Sequence, residues 1–324
     1  MSEIIFRNAT VMTDAGAVIA DVAVSEGRIA AIGEALPDDV VGPDTRSIDC
    51  SGMWIGPGFV DIHTHLREPG QEHKETIATG TRAAAAGGFT AVCAMPNTEP
   101  VNDTEGITRL MLEKARVEGA VRVFPIGAIT QGSKGEELSE YGDLREAGCV
   151  AVSDDGHPVA DTRVMRRALE YAKAFDLVVI DHCEDPSLSE KACMNEGAVS
   201  THLGLSGEPA VGEAIMVDRD VSLAELTGGR LHVAHISAAA SVDAVRRGKA
   251  RGVNVTAEVT PHHLFLTDEE VRESAYDTST KMKPPLRSEG DRQATIAGLQ
   301  DGTIDCIATD HAPHHVDDKK VEYD

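Results

Sequence analysis

From residue 58 onward, short apolar runs alternate with longer stretches in which apolar residues, many of them alanine, recur at helical spacing. Apolar runs of roughly four to eight residues between turn residues predict buried strands, and the periodic stretches between them predict helices. The predicted strands are residues 59–65, 90–95, 121–129, 150–153, 177–182, 231–236, 253–259 and 304–309. The predicted helices are residues 75–86, 104–118, 162–174, 211–226 and 241–250. This alternation is typical of a parallel sheet built from strand–helix units.

Eight predicted strands with helices between them suggest a (β/α)8 TIM barrel, although an open doubly wound sheet gives a similar alternation. The reactive side chains favour the barrel, because they fall at the carboxyl ends of several predicted strands. A barrel gathers those ends around one mouth, whereas an open sheet spreads them along an edge. The residues at or just after these ends are His63, His65, Asn97, Asp154, Asp155, His182, His235 and Asp310.

The first 57 residues have a different pattern, with short predicted strands at 4–6, 17–24, 29–32 and 47–50 and a loop at 37–43. We therefore expect a small β unit over residues 1–57, forming part of a β-sandwich, followed by the barrel over residues 58–324. The sequence ends soon after the eighth predicted strand. We expect the last barrel helix and the C-terminal strands of such a fold to be missing from it.

Composition and charge narrow the class of protein. The chain has 54 acidic and 30 basic residues and a formal net charge of −24, which repels nucleic acid and anionic lipid. No apolar stretch approaches the roughly 18 residues that span a bilayer, and the first residues lack the segments of a signal peptide. The six cysteines lie far apart without a CxxC pair, as expected of reduced thiols. We therefore expect a cytoplasmic enzyme with a small-molecule substrate and neither nucleic-acid nor membrane partners.

Two histidines at the end of the first predicted barrel strand, His63 and His65, form the most informative pair. Residues two apart in a strand point to the same side, so both imidazoles can face one metal ion, and Arg67 continues the same spacing. The candidate ligands at the strand ends are His63, His65, Asp155, His182, His235 and Asp310. Four imidazoles and two carboxylates are more than one tetrahedral ion needs. They suit two ions that share a carboxylate, which is a hydrolytic arrangement.

Around these residues the chain resembles a dihydroorotase of the bacterial type that has an aspartate in its metal centre, within the amidohydrolase superfamily. The matching stretches are residues 61–70, 94–98, 153–156, 181–184, 232–237, 257–263, 281–287 and 308–314. Three motifs are specific to dihydroorotases and close relatives. They are His-Leu-Arg-Glu-Pro-Gly from residue 65, Met-Pro-Asn-Thr from residue 95 and Thr-Asp-His-Ala-Pro-His from residue 309. The strands before residue 58 also look like the small β unit of that family.

The resemblance implies a role for each matched position. The zinc ligands would be His63 and His65 for one ion, His182 and His235 for a second ion, and Asp155 between them. Asp310 would contact the first metal and act as the general acid and base. Asp155 is preferred over the adjacent Asp154, which we expect to cap Gly156 or to hydrogen-bond a histidine. Whether one or two Zn2+ ions bind is left open.

The resemblance also implies the residues that bind substrate. Those that would bind the substrate carboxylate are Arg67, Asn97 and His314. Lys283 stands where relatives have an asparagine that touches the substrate ring, so recognition of the ring at that position must differ. A changed substrate preference, a compensating water molecule and a lysine turned toward solvent are all open. The remaining histidines are expected in surface, core or supporting positions, and His232 should face away from His235 because they lie an odd number of residues apart.

The implied activity is zinc-dependent interconversion of dihydroorotate and N-carbamoyl-L-aspartate in pyrimidine biosynthesis. A hydantoinase, dihydropyrimidinase or allantoinase is the nearest alternative, but those enzymes generally use a metal-bridging lysine where this chain has Asp155. A non-catalytic subunit of an aspartate carbamoyltransferase complex is a further alternative. Such a subunit would be expected to lose metal ligands, and this chain keeps all six candidates. We expect a homo-oligomer, with aspartate carbamoyltransferase as the candidate protein partner.

Overall fold

The structure is a computed structural model, and it describes residues 3–36 and 40–324. By its internal contacts the chain divides into two compact units, one ending at Phe59 and one beginning at Val60. The predicted loop at 37–43 lies partly outside the described residues. In the described ranges, none of the helices combines the length and the apolar character that a membrane span requires.

The first unit is a β-sheet built around its first strand. Its strands are β1 (Ile4–Thr13), β2 (Gly16–Ser25), β3 (Arg28–Gly33), β4 (Arg46–Asp49) and β5 (Trp54–Ile55). β1 pairs antiparallel with β2, which pairs antiparallel with β3, and β1 also pairs in parallel with β4 and β5. Side chains on one face, including Val11 and Val22, form a small apolar core. All four predicted strands are present, β1 is longer than expected, and β5 was not predicted.

The second unit contains ten strands, eight of which form a ring and two of which pair with each other in a separate sheet. Chain order gives β6 (Phe59–Thr64), β7 (Phe89–Ala94), β8 (Arg122–Pro125), β9 (Ala151–Ser153), β10 (Val178–Asp181), β11 (Met194–Asn195), β12 (Gly207–Glu208), β13 (Leu231–Val233), β14 (Val255–Val259) and β15 (Cys306–Ile307). Hydrogen bonds join β6–β7–β8 and, separately, β9–β10–β13–β14–β15. Parallel bridges between Gly127 and Val152 and between Thr64 and His311 join the two sheets at both ends. The predicted barrel is therefore confirmed, with strands shorter than several of the predicted runs.

The helices of this unit lie between its strands. They are α1 (Ile77–Ala86), α2 (Glu105–Glu118), α3 (Tyr141–Ala147), α4 (Thr162–Ala172), α5 (Pro186–Ser189), α6 (Ala198–Leu203), α7 (Val211–Thr227), α8 (Ala239–Ala250), α9 (Pro261–Phe265), α10 (Glu269–Glu273) and α11 (Glu289–Gln300). The five predicted helices are confirmed as α1, α2, α4, α7 and α8. Capping side chains define several starts: Thr76 accepts a hydrogen bond from the backbone of Thr79, and Asp161 from those of Arg163 and Val164.

The helix α11 was missed because it lacks the apolar periodicity that predicts a buried helix. Its fully buried residues are Thr295 and Gly298, neither of which gives an apolar signal. A Cβ atom at Gly298 would lie 2.8 Å from a side-chain carbon of Val242 in α8. The two helices thus pack closely through a glycine, which a count of apolar residues cannot detect.

Candidate metal centre and active site

Asp155, just after β9, lies among all four predicted histidine ligands. Its Oδ1 atom is 3.4 Å from the Nε2 atoms of His63 and His235 and 3.7 Å from Nδ1 of His182. Its Oδ2 atom is 3.4 Å from Nε2 of His65. Oδ1 thus faces three of the four histidines, one of them from the first pair, and Oδ2 faces the fourth, so the carboxylate contacts both histidine pairs.

Asp310, which follows β15, closes the cluster on the side of the first histidine pair. Its Oδ1 atom is 3.0 Å from Nε2 of His65 and 3.5 Å from Nε2 of His63. Among the described residues, ligand atoms lie within 4.8 Å of one another in three sets of three residues: one is Asp181, Cys183 and Asp220, and the other two belong to this cluster. The two sets of this cluster are His63, Asp155 and His235, and His63, His65 and Asp310. His63 belongs to both of them and therefore lies at the middle of the centre.

Two buried polar atoms in this cluster have no hydrogen-bond partner, namely Nε2 of His63 and Oδ1 of Asp155. Burying a polar atom without a partner is costly, and such atoms in a native site often bind an ion or water. Nitrogen and carboxylate oxygen are also the donor types that zinc and related divalent metals use. The residues therefore fit a metal ion held between the two histidine pairs.

Electrostatics favour a cation at the same place. Burial alone would lower the pKa of His63, but Asp155, Glu258 and Asp310 raise it well above its usual value. Burial alone would raise the pKa of Asp155, but His63 and the other histidines hold it well below its usual value. The pKa of His182 is raised to about 10, because Asp155 and Glu184 outweigh the opposing effect of burial. The site thus stabilises positive charge strongly.

The buried carboxylate of Glu258, on β14, contacts His63, His235 and His232. Its Oε1 atom is 2.5 Å from Nδ1 of His63 and accepts a hydrogen bond from the backbone of His235 at 3.3 Å. Its Oε2 atom is 3.1 Å from Nε2 of His232. Contact with a carboxylate at Nδ1 leaves Nε2 of His63 to face the centre. The sequence analysis did not identify Glu258, although a charged residue inside an apolar predicted strand was a usable signal.

Other neighbours hold the remaining ligands. Nδ1 of His65 lies 2.8 Å from Oδ1 of Asn97, so this predicted substrate residue also contacts a predicted ligand. Nε2 of His182 lies 3.0 Å from Oε2 of Glu184, and its Nδ1 lies 2.9 Å from Nε2 of His235. Asp154 accepts a hydrogen bond from the backbone of Thr130 at 3.0 Å and one from its hydroxyl. These contacts differ from the expected ones with Gly156 or a histidine, because the side chain of Asp154 points away from the cluster into the neighbouring loop.

Backbone conformation at the site is unusual. The φ angles of Arg67, His235 and Asp310 are 61°, 30° and 47°. Non-glycine residues in this left-handed region cost about 1–3 kcal/mol each and persist where surrounding contacts fix them. Each of these residues follows a barrel strand, so the strained backbone turns a side chain toward the mouth.

A cavity of about 590 Å³ opens over the cluster. Its lining includes the four predicted substrate-binding residues, Arg67, Asn97, Lys283 and His314, and the ligand candidates His65, Asp155, His182 and Asp310. Arg67 is 7% exposed, and its Nε donates to the backbone oxygen of Pro313 at 3.1 Å. Burial and the nearby Arg67 lower the pKa of His314 to about 4, so its ring is neutral at pH 7. His262 also lines the cavity and was not predicted to do so.

Lys283 is 52% exposed, and its Nζ lies 2.9 Å from Oε1 of Glu184. The three alternatives for this lysine stay predictions, because more than half of its side chain is exposed despite the ion pair. Glu184 in turn contacts His182. His232 contacts Glu258 and belongs to none of the three candidate ligand sets found among the described residues.

Comparisons with known proteins identify the family of this chain. The model of the dihydro-orotase-like family matches residues 52–241. The dihydroorotase of Anaeromyxobacter dehalogenans (strain 2CP-C) is 55% identical over 327 aligned residues, covering 100% of this chain and 75% of the relative. The dihydroorotase of Desulforapulum autotrophicum is 55% identical over 94% of this chain and 71% of its own length. The chain belongs to the dihydro-orotase-like family.

Several solved structures have the same fold as this chain. The L-hydantoinase (dihydropyrimidinase) of Arthrobacter aurescens superimposes with a TM-score of 0.82 at 22% identity, covering 99% of this chain and 71% of that one. The dihydropyrimidinase of Brevibacillus agri gives a TM-score of 0.78 at 23% identity, covering 97% and 69%. At this identity the likeness shows the barrel fold alone. The assignment to the dihydro-orotase-like family rests on the closer relatives.

Proposed function

We propose that this chain is a zinc-dependent dihydroorotase that interconverts dihydroorotate and N-carbamoyl-L-aspartate. Relatives that are about 55% identical over nearly the whole chain carry that name. The observation that carries the proposal is Asp155, which lies between two histidine pairs beneath a cavity that also contains Arg67. A divalent metal beside a buried cation suits a cyclic amide that bears a carboxylate.

Substrate binding begins with Arg67. Its Nε is occupied by Pro313, which leaves the two terminal guanidinium nitrogens to grip the substrate carboxylate in bidentate fashion. Asn97 and the neutral ring of His314 also line the cavity, and in this proposal they add hydrogen bonds to the same carboxylate. Fixing the carboxylate there orients the ring amide over Asp155 and the histidines, which is the positioning part of catalysis.

The metal would be held by His63, His65, His182, His235 and Asp155, with Asp310 at its edge. Zinc, when bound, would polarise the ring carbonyl and lower the pKa of a water molecule to about 7. We propose two ions, because four imidazoles surround one shared carboxylate. The alternative of a single ion remains an outcome that metal analysis would decide.

Asp310 is the proton carrier of the proposed reaction. Burial would raise the pKa of this carboxyl, but His63 and His65 lower it to about 2, so it is ionised at neutral pH. In ring opening, water adds to the ring carbonyl carbon, and Asp310 accepts the proton that the water loses. The carbon–nitrogen bond then breaks, and Asp310 returns the proton to the leaving nitrogen. Ring closure runs the same steps backward.

We also propose that the enzyme acts in the cytoplasm as a homo-oligomer, with aspartate carbamoyltransferase as its candidate partner. Six free cysteines support a reducing compartment. Analytical ultracentrifugation of the purified protein, alone and with aspartate carbamoyltransferase, would test the assembly. A single monomeric species under both conditions would contradict this part of the proposal.

The activity is tested by comparing turnover of dihydroorotate, hydantoin and allantoin by the full-length purified protein, together with its zinc content by mass spectrometry. We expect dihydroorotate to have the highest kcat/KM, and N-carbamoyl-L-aspartate to be converted back by ring closure. Faster turnover of hydantoin would identify a hydantoinase instead. A well-folded protein without metal or turnover would favour the non-catalytic subunit.

A further inference from the structure

The histidines of the proposed centre use different nitrogens to face it. His63 points Nε2 toward Asp155 and has Nδ1 on Glu258, whereas His182 points Nδ1 inward and has Nε2 on Glu184. For Nδ1 of His182 to act as an electron-pair donor, the ring proton must reside on Nε2. A carboxylate 3.0 Å from Nε2 favours that tautomer and fixes the plane of the ring.

Glu184 is itself held in place. Glu184 is 6% exposed, and its Oε2 atom faces His182. Its Oε1 atom accepts a hydrogen bond from the hydroxyl of Ser189 and forms an ion pair with Lys283 at 2.9 Å. Ser189 ends the short helix α5, which is capped by the side chain of Asp185. Both carboxylate oxygens are thus occupied, so the side chain cannot turn away from His182 without losing several contacts.

Lys283 links Glu184 to the wall of the cavity. The other two lysines that line the cavity donate to backbone oxygens: Lys281 to Tyr323 at 2.7 Å and Lys319 to Thr278 at 3.0 Å. Lys283 instead forms an ion pair with Glu184, whose side chain contacts the predicted metal ligand His182. A chain of contacts therefore runs from the cavity wall through Lys283 and Glu184 to His182.

We propose that Glu184 is a positioning residue for His182, and that Lys283 anchors Glu184 and so tunes how firmly the His182 side of the centre retains metal. This inference rests on the proposed metal-dependent function and adds a role for two residues outside the ligand set. Neither residue needs to touch the reacting atoms. Because Glu184 is buried and Lys283 is half-exposed, the effect of Glu184 is the larger one.

The test measures how fast purified, metal-loaded full-length protein releases each metal equivalent to excess chelator. In Glu184→Gln, which keeps the shape and removes the charge, we expect release of one equivalent to accelerate about 10- to 100-fold. Lys283→Met should accelerate the same equivalent about two- to fivefold, as expected for a partly exposed ion pair. In the Glu184→Gln background, Lys283→Met should add nothing, because its effect passes through Glu184.

Two matched controls separate positioning from general effects of charge. Glu190→Gln removes an exposed carboxylate from the same segment, and Lys281→Met removes a cation from the same cavity wall. Both should release metal at the wild-type rate. Nitrogen NMR of His182 supplies a readout that a merely structural role would not move: we expect the Nε2-protonated tautomer in the wild type and a mixed population in Glu184→Gln.

The inference is overturned if Glu184→Gln releases metal at the wild-type rate, or if Lys283→Met has the same effect in the presence and absence of Glu184. The inference is also overturned if Glu190→Gln accelerates the release of every metal equivalent to the same degree. A wild-type protein that holds no metal would contradict the proposed function instead.

Discussion

Two ligand candidates of the centre, one from each histidine pair, are supported by different carboxylates. On the inner side, the ring of His63 lies against Glu258, which is 1% exposed and belongs to the barrel strand β14. On the outer side, the ring of His182 lies against Glu184, whose partner Lys283 is half-exposed at the cavity. One side is held by the barrel core, and the other by segments at its mouth.

This difference indicates which parts of the centre can vary without loss of the fold. Glu258 contacts the ring of His63, the backbone of His235 and the ring of His232, so its removal would disturb both histidine pairs. Glu184 contacts one ligand candidate, His182, and is otherwise held by Ser189 and the half-exposed Lys283. We therefore expect changes on the inner side to affect metal binding and stability together, and changes on the outer side to affect metal binding alone.

The largest expected difference is between loss of His63 on the inner side and loss of His182 on the outer side. His63→Ala should abolish both metal binding and dihydroorotate turnover, because His63 is shared by both sets of candidate ligands in this cluster. His182→Ala should keep metal at the His63 and His65 side, with turnover reduced. Metal content by mass spectrometry and the rate of ring opening check both variants. Equal loss of metal from the two variants would remove the distinction between inner and outer sides.

A smaller effect is expected at Glu258. Glu258→Gln should weaken metal binding about 10- to 100-fold and lower the free energy of unfolding by about 3 kcal/mol, because it leaves buried histidine nitrogens with a poorer partner. Chelator competition and urea denaturation measure the two quantities.

Glu213 on α7 supplies the matched control for Glu258. It is also a buried carboxylate, but it accepts hydrogen bonds from the backbones of Ser237 and Ala238, both at 3.0 Å, and lies 3.5 Å from Arg287. Glu213→Gln should therefore lower stability to a similar degree and leave metal affinity unchanged. Loss of metal affinity in Glu213→Gln would mean that Glu258 acts through stability alone.

The difference between the ligand candidates and the residues that support them explains how much of the site could be predicted from the sequence. The barrel and the gathering of His63, Asp155 and Asp310 followed from apolar runs and from the polar residues that end them. Glu258 and Glu184 were not identified as supports, because their contacts depend on strand register and loop conformation rather than on spacing along one strand. Thus the ligand candidates carry a periodic signal in the sequence, and the residues that hold them carry almost none.

The last comparison is between two cations of the cavity, and the smallest expected effect is that of Lys283→Met. Arg67 is 7% exposed on the inner side and Lys283 is 52% exposed on the outer side. Arg67→Met should lower kcat/KM for dihydroorotate about 10- to 100-fold, mainly through KM, because it loses charged hydrogen bonds to the substrate carboxylate. Lys283→Met should lower kcat/KM less than about fivefold, and mainly through kcat, because its partner is Glu184.

Steady-state kinetics over a range of dihydroorotate concentrations separate these two patterns, and Lys281→Met provides the control for loss of a cavity charge. Suppose that Lys283→Met raised KM as strongly as Arg67→Met. Lys283 would then break its ion pair with Glu184 when the substrate binds, and it would contact the substrate itself. The outer side of the centre would then open when substrate binds, because Glu184 would lose an anchor as Lys283 acquired a new partner. An unchanged KM would instead mean that the Lys283–Glu184 pair persists through the reaction, so that substrate affinity depends on Arg67 and metal retention depends on Lys283.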